Sequence, residues 1–132
     1  MSKTETATPT VNTEAIVTRD QLLGARKRRF TQFPVEGLNG KVRIRSLSER
    51  EKSDYESEFM DKKGNFSRDK LLSARRRLIC LVVVDAEGNP LLTDDDVKAL
   101  EEIDGRITSK IQEEAQVHCG IGRAQVEEEI KN

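Results

Sequence analysis

The stretch VVVDAEGNPLLTDDD, residues 82–96, decides how this chain is read. It starts inside an apolar run, LICLVVV at 78–84, and ends among acids. Leu71, Leu72, Leu78, Ile79 and Val82 recur at helical spacing, so a helix arrives at Val82. The β-branched residues Val82 to Val84 equally suit a short strand. The pattern leaves helix and strand open at this point.

The acids admit two readings as well. A calcium loop begun at Asp85 would place Glu87 third, Asn89 fifth, Thr93 ninth and Asp96 twelfth. Its sixth position, where such a loop needs glycine, is Pro90, and Gly88 falls fourth. Proline fixes φ near −65° and cannot make that turn. Asp at the last position is also shorter than the Glu that chelates with two oxygens. The stretch therefore reads as a turn, DAEGNP, followed by a helix. Thr93 would cap that helix, and acids would fill its first turn, where the helix dipole favours them.

Upstream, FPVEGLNGKVRIRSL at 33–47 is the clearest β signal. Val42, Ile44 and Leu47 form an apolar side against Arg43 and Arg45, and Asn39-Gly40 favours a tight hairpin turn. Ser48 and Glu51 form a capping box for a helix with Tyr55 and Phe59 one turn apart. Gly64 stops that helix, and Ser67 caps the next. Thr18 or Asp20 would open a short helix that Gly24 weakens. Val97, Leu100 and Ile103 share a face, and Ile103, Ile107, Ile111 and Ala115 continue it at spacing four up to Gly120. A last helix would carry Val126 and Ile130.

The 132 residues imply one domain, with 35% hydrophobic and only 4% aromatic content to build its core. Residues 1–17 are polar and Thr-rich and read as a disordered tail, leaving 18–132 as the domain. The expected fold is α+β and mostly α: a small N-terminal β-hairpin packed on a bundle of four to five helices. Residues 1–92 carry 18 Lys/Arg and 13 Asp/Glu, whereas residues 93–132 carry 5 and 11. A net +5 front thus adjoins a net −6 back, a split that suits solvated helix faces and also head-to-tail self-association. Two distant cysteines and no apolar leader point to a reducing, intracellular setting. The longest apolar run is too short to span a bilayer.

No catalytic constellation stands out. His118 and Cys119 are helix neighbours pointing about 100° apart, a poor geometry for a dyad. No metal or cofactor is expected, and no enzyme. The RKRR run at 26–29 raises a DNA-binding regulator as one alternative, although few aromatics lie nearby to stack on bases.

The order of these parts resembles the tail assembly chaperones of long-tailed, siphovirus-like bacteriophages and prophages. The V-x-V-R-x-L-(S/T)-x-x-E segment of that group corresponds in outline to Val42–Glu51. Its V-V-D-x-x-G-x-P-L and (S/T)-D-x-D-V-x-x-L segments correspond to Val83–Leu91 and Thr93–Leu100. The resemblance spans roughly residues 20–130. It implies a non-enzymatic assembly factor that binds the tape measure protein, recruits tail tube subunits and works in the host bacterial cytoplasm. Such proteins are typically absent from the mature virion, and some have a longer frameshifted form. A structural tail or head–tail component of the virion is the other alternative. Candidate partner-binding residues are Tyr55, Phe59, Ile107, Ile111, Val126 and Ile130, each on an apolar stripe that a small domain also needs as core.

Overall fold

The computed structural model describes residues 14–58, 63–65 and 67–121. In chain order it contains α1 (Arg19–Leu23), β1 (Phe30–Pro34), β2 (Lys41–Arg45), α2 (Glu49–Ser57), α3 (Arg68–Val82), β3 (Val83–Val84) and α4 (Gly105–Cys119). Two 3-10 turns, Asp94–Asp96 and Ala99–Glu102, lie between β3 and α4. The fold is α+β and mostly α, as the sequence indicates.

The open question at Val82 resolves both ways. α3 keeps its helix through Val82, and the chain becomes extended at Val83 (φ −71°, ψ 127°) with no intervening loop. Val83 and Val84 then add a third, antiparallel strand, giving the order β1-β2-β3. The hairpin is thus part of a three-stranded sheet. Phe33, Val42, Ile44 and Val83 line its inner face. Ala74, Leu78, Ile79 and Val82 of α3 pack there, with Ile111 and Ala115 of α4. Ile44, Leu78 and Val82 are completely buried. With so few aromatics, aliphatic side chains dominate this core, and one short run supplies four of them: Leu78, Ile79, Val82 and Val83.

Two local expectations need correction. Pairing between β1 and β2 ends at Pro34 and Lys41, so the connection is a wider loop of residues 35–40 and not a two-residue Asn39-Gly40 turn. Val35 in that loop is buried, and Leu38 N–H donates to the Val35 carbonyl (3.0 Å). Gly37 has φ +103°, and a Cβ there would meet Ile107 Cδ1 at 3.2 Å. The loop is shaped by burying Val35 and by its approach to α4, which local turn preference does not encode.

The expected helix beginning at Thr93 is replaced by the two 3-10 turns. The Asp96 carboxylate accepts the Thr93 N–H (2.8 Å), while Asp104 accepts the Arg106 N–H (2.9 Å) and caps α4. Closely spaced aspartates that bond to nearby backbone compete with a continuous α-helix, and Gly105 weakens it further. Ile103 therefore lies outside α4 and is 43% exposed. The expected tail at 1–17 lies mostly outside the described residues, and the last helix with Val126 and Ile130 lies wholly outside them.

Ile44→Ala should lower unfolding stability by about 3 kcal/mol, because it leaves a cavity between sheet and helices. Leu22→Ala on exposed α1 should change it by less than about 0.5 kcal/mol. Urea unfolding of both variants measures the contrast.

Candidate protein-binding surface

The acidic turn is built by its own side chain. Asp85 Oδ1 accepts the N–H groups of Glu87 and Asn89, both at 2.9 Å. The Asp85 N–H donates to the Asn89 carbonyl (2.8 Å), and Val84 bridges to Pro90. Gly88 takes φ +90°, where a Cβ would press on the Phe30 ring at 3.2 Å. The carboxylate's role is thus to hold the backbone of the turn.

The basic run also has a structural assignment. Glu51 closes the capping box of α2 by accepting the Ser48 N–H (2.9 Å). The same carboxylate takes two hydrogen bonds from Arg45 of β2 (3.1 and 2.9 Å) and one from Arg28 (3.1 Å). Arg45's hydrogen bond is the largest influence holding the Glu51 carboxyl down at about 2, with the Ser48 backbone and the charges of Arg45 and Arg28 assisting against desolvation. Arg29 donates to the His118 carbonyl (2.7 Å). His118 Nε2, in the tautomer protonated there, donates to the Arg29 carbonyl (3.1 Å). Arg28 and Arg29 therefore fasten the N-terminal arm to the domain. His118 and Cys119 are engaged separately, since the Cys119 thiol donates to the Arg45 carbonyl (3.6 Å). Burial pushes both the Cys119 and Cys80 thiols above their ordinary range.

Beyond that staple the arm is open. α1 is capped at Thr18 by a reciprocal pair of hydrogen bonds with Gln21, yet it buries none of its residues. Ile16, Val17, Leu22 and Leu23 are all at least half exposed.

A second open region is a cleft of about 240 Å³, of mixed apolar and polar lining, where α3 meets the second 3-10 turn and the start of α4. Leu72, Ile79, Leu100 and Ile103 form its apolar part. Arg75 and Arg76 rim it; Arg75 Nε donates to Gln112 (2.5 Å), and Arg76 pairs with Glu101 (3.4 Å).

The chain's fold matches a solved one. The structure of the bacteriophage HK97 tail assembly chaperone superposes with a TM-score of 0.55 at 20% sequence identity. The match covers 74% of this chain and 94% of that one. The two proteins share a fold. No protein-family model matches the chain, and no curated protein does.

The sequence-derived candidates scatter across this fold. Tyr55 and Ile111 are buried in the core, and burial pushes the Tyr55 phenol up to about 12. Ile107 is half-buried against the core beneath Gly37. Phe59, Val126 and Ile130 lie outside the described residues. Leu22, Leu23, Leu72 and Ile103 are among the exposed apolar residues, and periodicity does not distinguish Leu72 and Ile103 from the buried members of their stripes. For two of the positions glycine is a local signal: Gly24 ends α1 after Leu23, and Gly105 opens α4 two residues after Ile103. Among the described residues, no group of three metal-ligating side chains converges, and no helix is long and apolar enough to cross a membrane.

Glu51 has a depressed carboxyl pKa, so its stabilisation is complete above the usual 4.5 and is lost as pH falls toward about 2. Glu51→Gln should lower stability at neutral pH by about 1–2 kcal/mol and flatten the acid limb between those values. Urea midpoints measured across an acid pH series check both effects.

Proposed function

We propose that this chain is a phage tail assembly chaperone, a non-enzymatic factor that binds the tape measure protein and recruits tail tube subunits to it. The observation that carries the reading is the fold shared with the HK97 tail assembly chaperone across 94% of that protein's length. The segments on which the sequence resemblance rests lie at β2 and the opening of α2 (Val42–Glu51) and in the 3-10 connection (Thr93–Leu100). The physical demands of the task agree with it. A long helical client exposes apolar stripes before it is packed, and a protein that shields them needs shallow apolar surfaces of moderate affinity. The exposed arm offers apolar side chains of that kind, and Leu72 and Ile103 add two more at the open cleft. The engagement of Arg28 and Arg29 within the domain weakens the alternative of DNA binding through the RKRR run. In this reading the protein acts in the host bacterial cytoplasm and is left out of the finished particle.

Co-expression with the tape measure protein of its own phage should raise the soluble fraction of that protein severalfold and yield a complex that co-purifies. Mass spectrometry of purified particles should find the chain absent. A tape measure protein equally insoluble with and without the chain overturns the reading. Recovery of the chain in particles at the level of tail subunits would instead make it a structural component.

A further inference from the structure

We propose that residues 122–132 fold back on the N-terminal arm of the same molecule and cover the apolar side chains of α1. The proposal does not rest on the tail-assembly reading. It is carried by where the uncovered apolar residues lie, where the described chain stops and which charges face each other there.

The four most exposed large hydrophobic residues among those described are Ile16 (90%), Val117 (82%), Leu22 (66%) and Val17 (64%). One exposed side chain of this kind is ordinary. These four, however, belong to two segments that are tied together. Arg29 of the arm exchanges two hydrogen bonds (2.7 and 3.1 Å) with His118, the neighbour of Val117. Apolar residues concentrated in this way mark a docking surface.

The chain's own continuation is delivered to the same place. Gly120 ends α4 at φ +69°, and the Ile121 N–H donates to the Gln116 carbonyl (3.0 Å). Ile121 is anchored in the core at 2% exposure, so residue 122 starts only four positions beyond His118. Leu23 stands six positions before Arg29, within roughly 21 Å of it even along an extended chain. The eleven residues 122–132 span up to roughly 38 Å, enough to reach α1 and lie along it. Val126 and Ile130 are spaced one helical turn apart and supply the apolar side of the contact.

Charge favours the arm as the destination. Residues 14–29 carry Arg19, Arg26, Lys27, Arg28 and Arg29 against Glu14 and Asp20. The nearby Arg45 and Glu51 offset each other. Residues 122–132 carry Glu127, Glu128 and Glu129 in succession against Arg123 and Lys131. On α4, Glu114 is paired with Lys110, and Glu113 adds one opposing charge a turn before Val117. The balance still brings an acidic run to a basic arm. The α3–α4 cleft is a worse site for that run. It lies at the other end of α4, its Arg75 and Arg76 are engaged by Gln112 and Glu101, and residues 94–104 beside it hold six acids and one lysine. The segment is thus a removable cover: a partner that binds the arm must first displace it.

Hydrogen exchange read by mass spectrometry on the full chain at low micromolar concentration tests the proposal. An uncovered five-residue helix exchanges nearly as fast as unfolded chain, whereas the α1 amides of the wild type should be slowed at least about tenfold. Val126→Asp/Ile130→Asp should abolish that protection, and Leu22→Asp/Leu23→Asp should speed exchange in residues 124–130. Unchanged exchange in β2 and α3 verifies the fold of both variants. Raising the concentration about twentyfold should leave the α1 rate unaltered, because a contact within one molecule does not follow mass action. Unprotected α1 amides in the wild type overturn the proposal. So does protection that survives Val126→Asp/Ile130→Asp, which places the cover in residues 1–13 or elsewhere. Residues 124–130 that ignore the arm variant overturn it too, as does protection that grows with concentration, the mark of a second copy.

Discussion

The structure depends on a helix that becomes a strand without a loop. α3 ends at Val82, and β3 begins at the next residue. One apolar run thereby fills both layers of the core: Leu78, Ile79 and Val82 from the helix side, Val83 from the sheet side. A chain this poor in aromatic residues has little other material from which to build an interior. The sharp transition also fixes the register, because Val83 pairs with Ile44 and Val84 with Arg43. Slipping that pairing by one residue would turn the inward side chains of β3 to the opposite face.

Glu51 adds a polar counterpart to this constraint. Its carboxylate caps α2, grips Arg45 of β2 and receives Arg28 from the arm. Three segments that are separated in the chain are oriented by one side chain. The cap is legible in the sequence as Ser48 followed three residues later by Glu51. The additional use of the same oxygens is not, because it requires Arg28 to be brought back across 23 residues.

That distinction runs through the comparison of sequence with structure. The strands at Phe33 and Lys41–Arg45, the caps at Ser48 and Ser67 and the turn at Asp85–Pro90 follow from local chemistry and are readable. The loop at 35–40 is not, because its shape answers to Ile107, seventy positions away from Gly37 in the chain. Alternation and helical period also identify apolar positions without saying which of them the fold will cover. Tyr55 and Ile111 lie in the interior, while Leu72 and Ile103 remain at the surface, although all four sit in similar-looking patterns. Tertiary packing makes that choice, so the candidate site is much less legible than the fold.

The staple holding the N-terminal arm has a dynamic consequence. Arg28 and Arg29 fasten it through polar contacts, and α1 contributes no buried residue to the interior. Releasing the arm therefore exposes little apolar surface and leaves the sheet and its helices intact. Its detachment is a local opening, well below the free energy of global unfolding, and the energy landscape of this small domain has a shallow step at its edge.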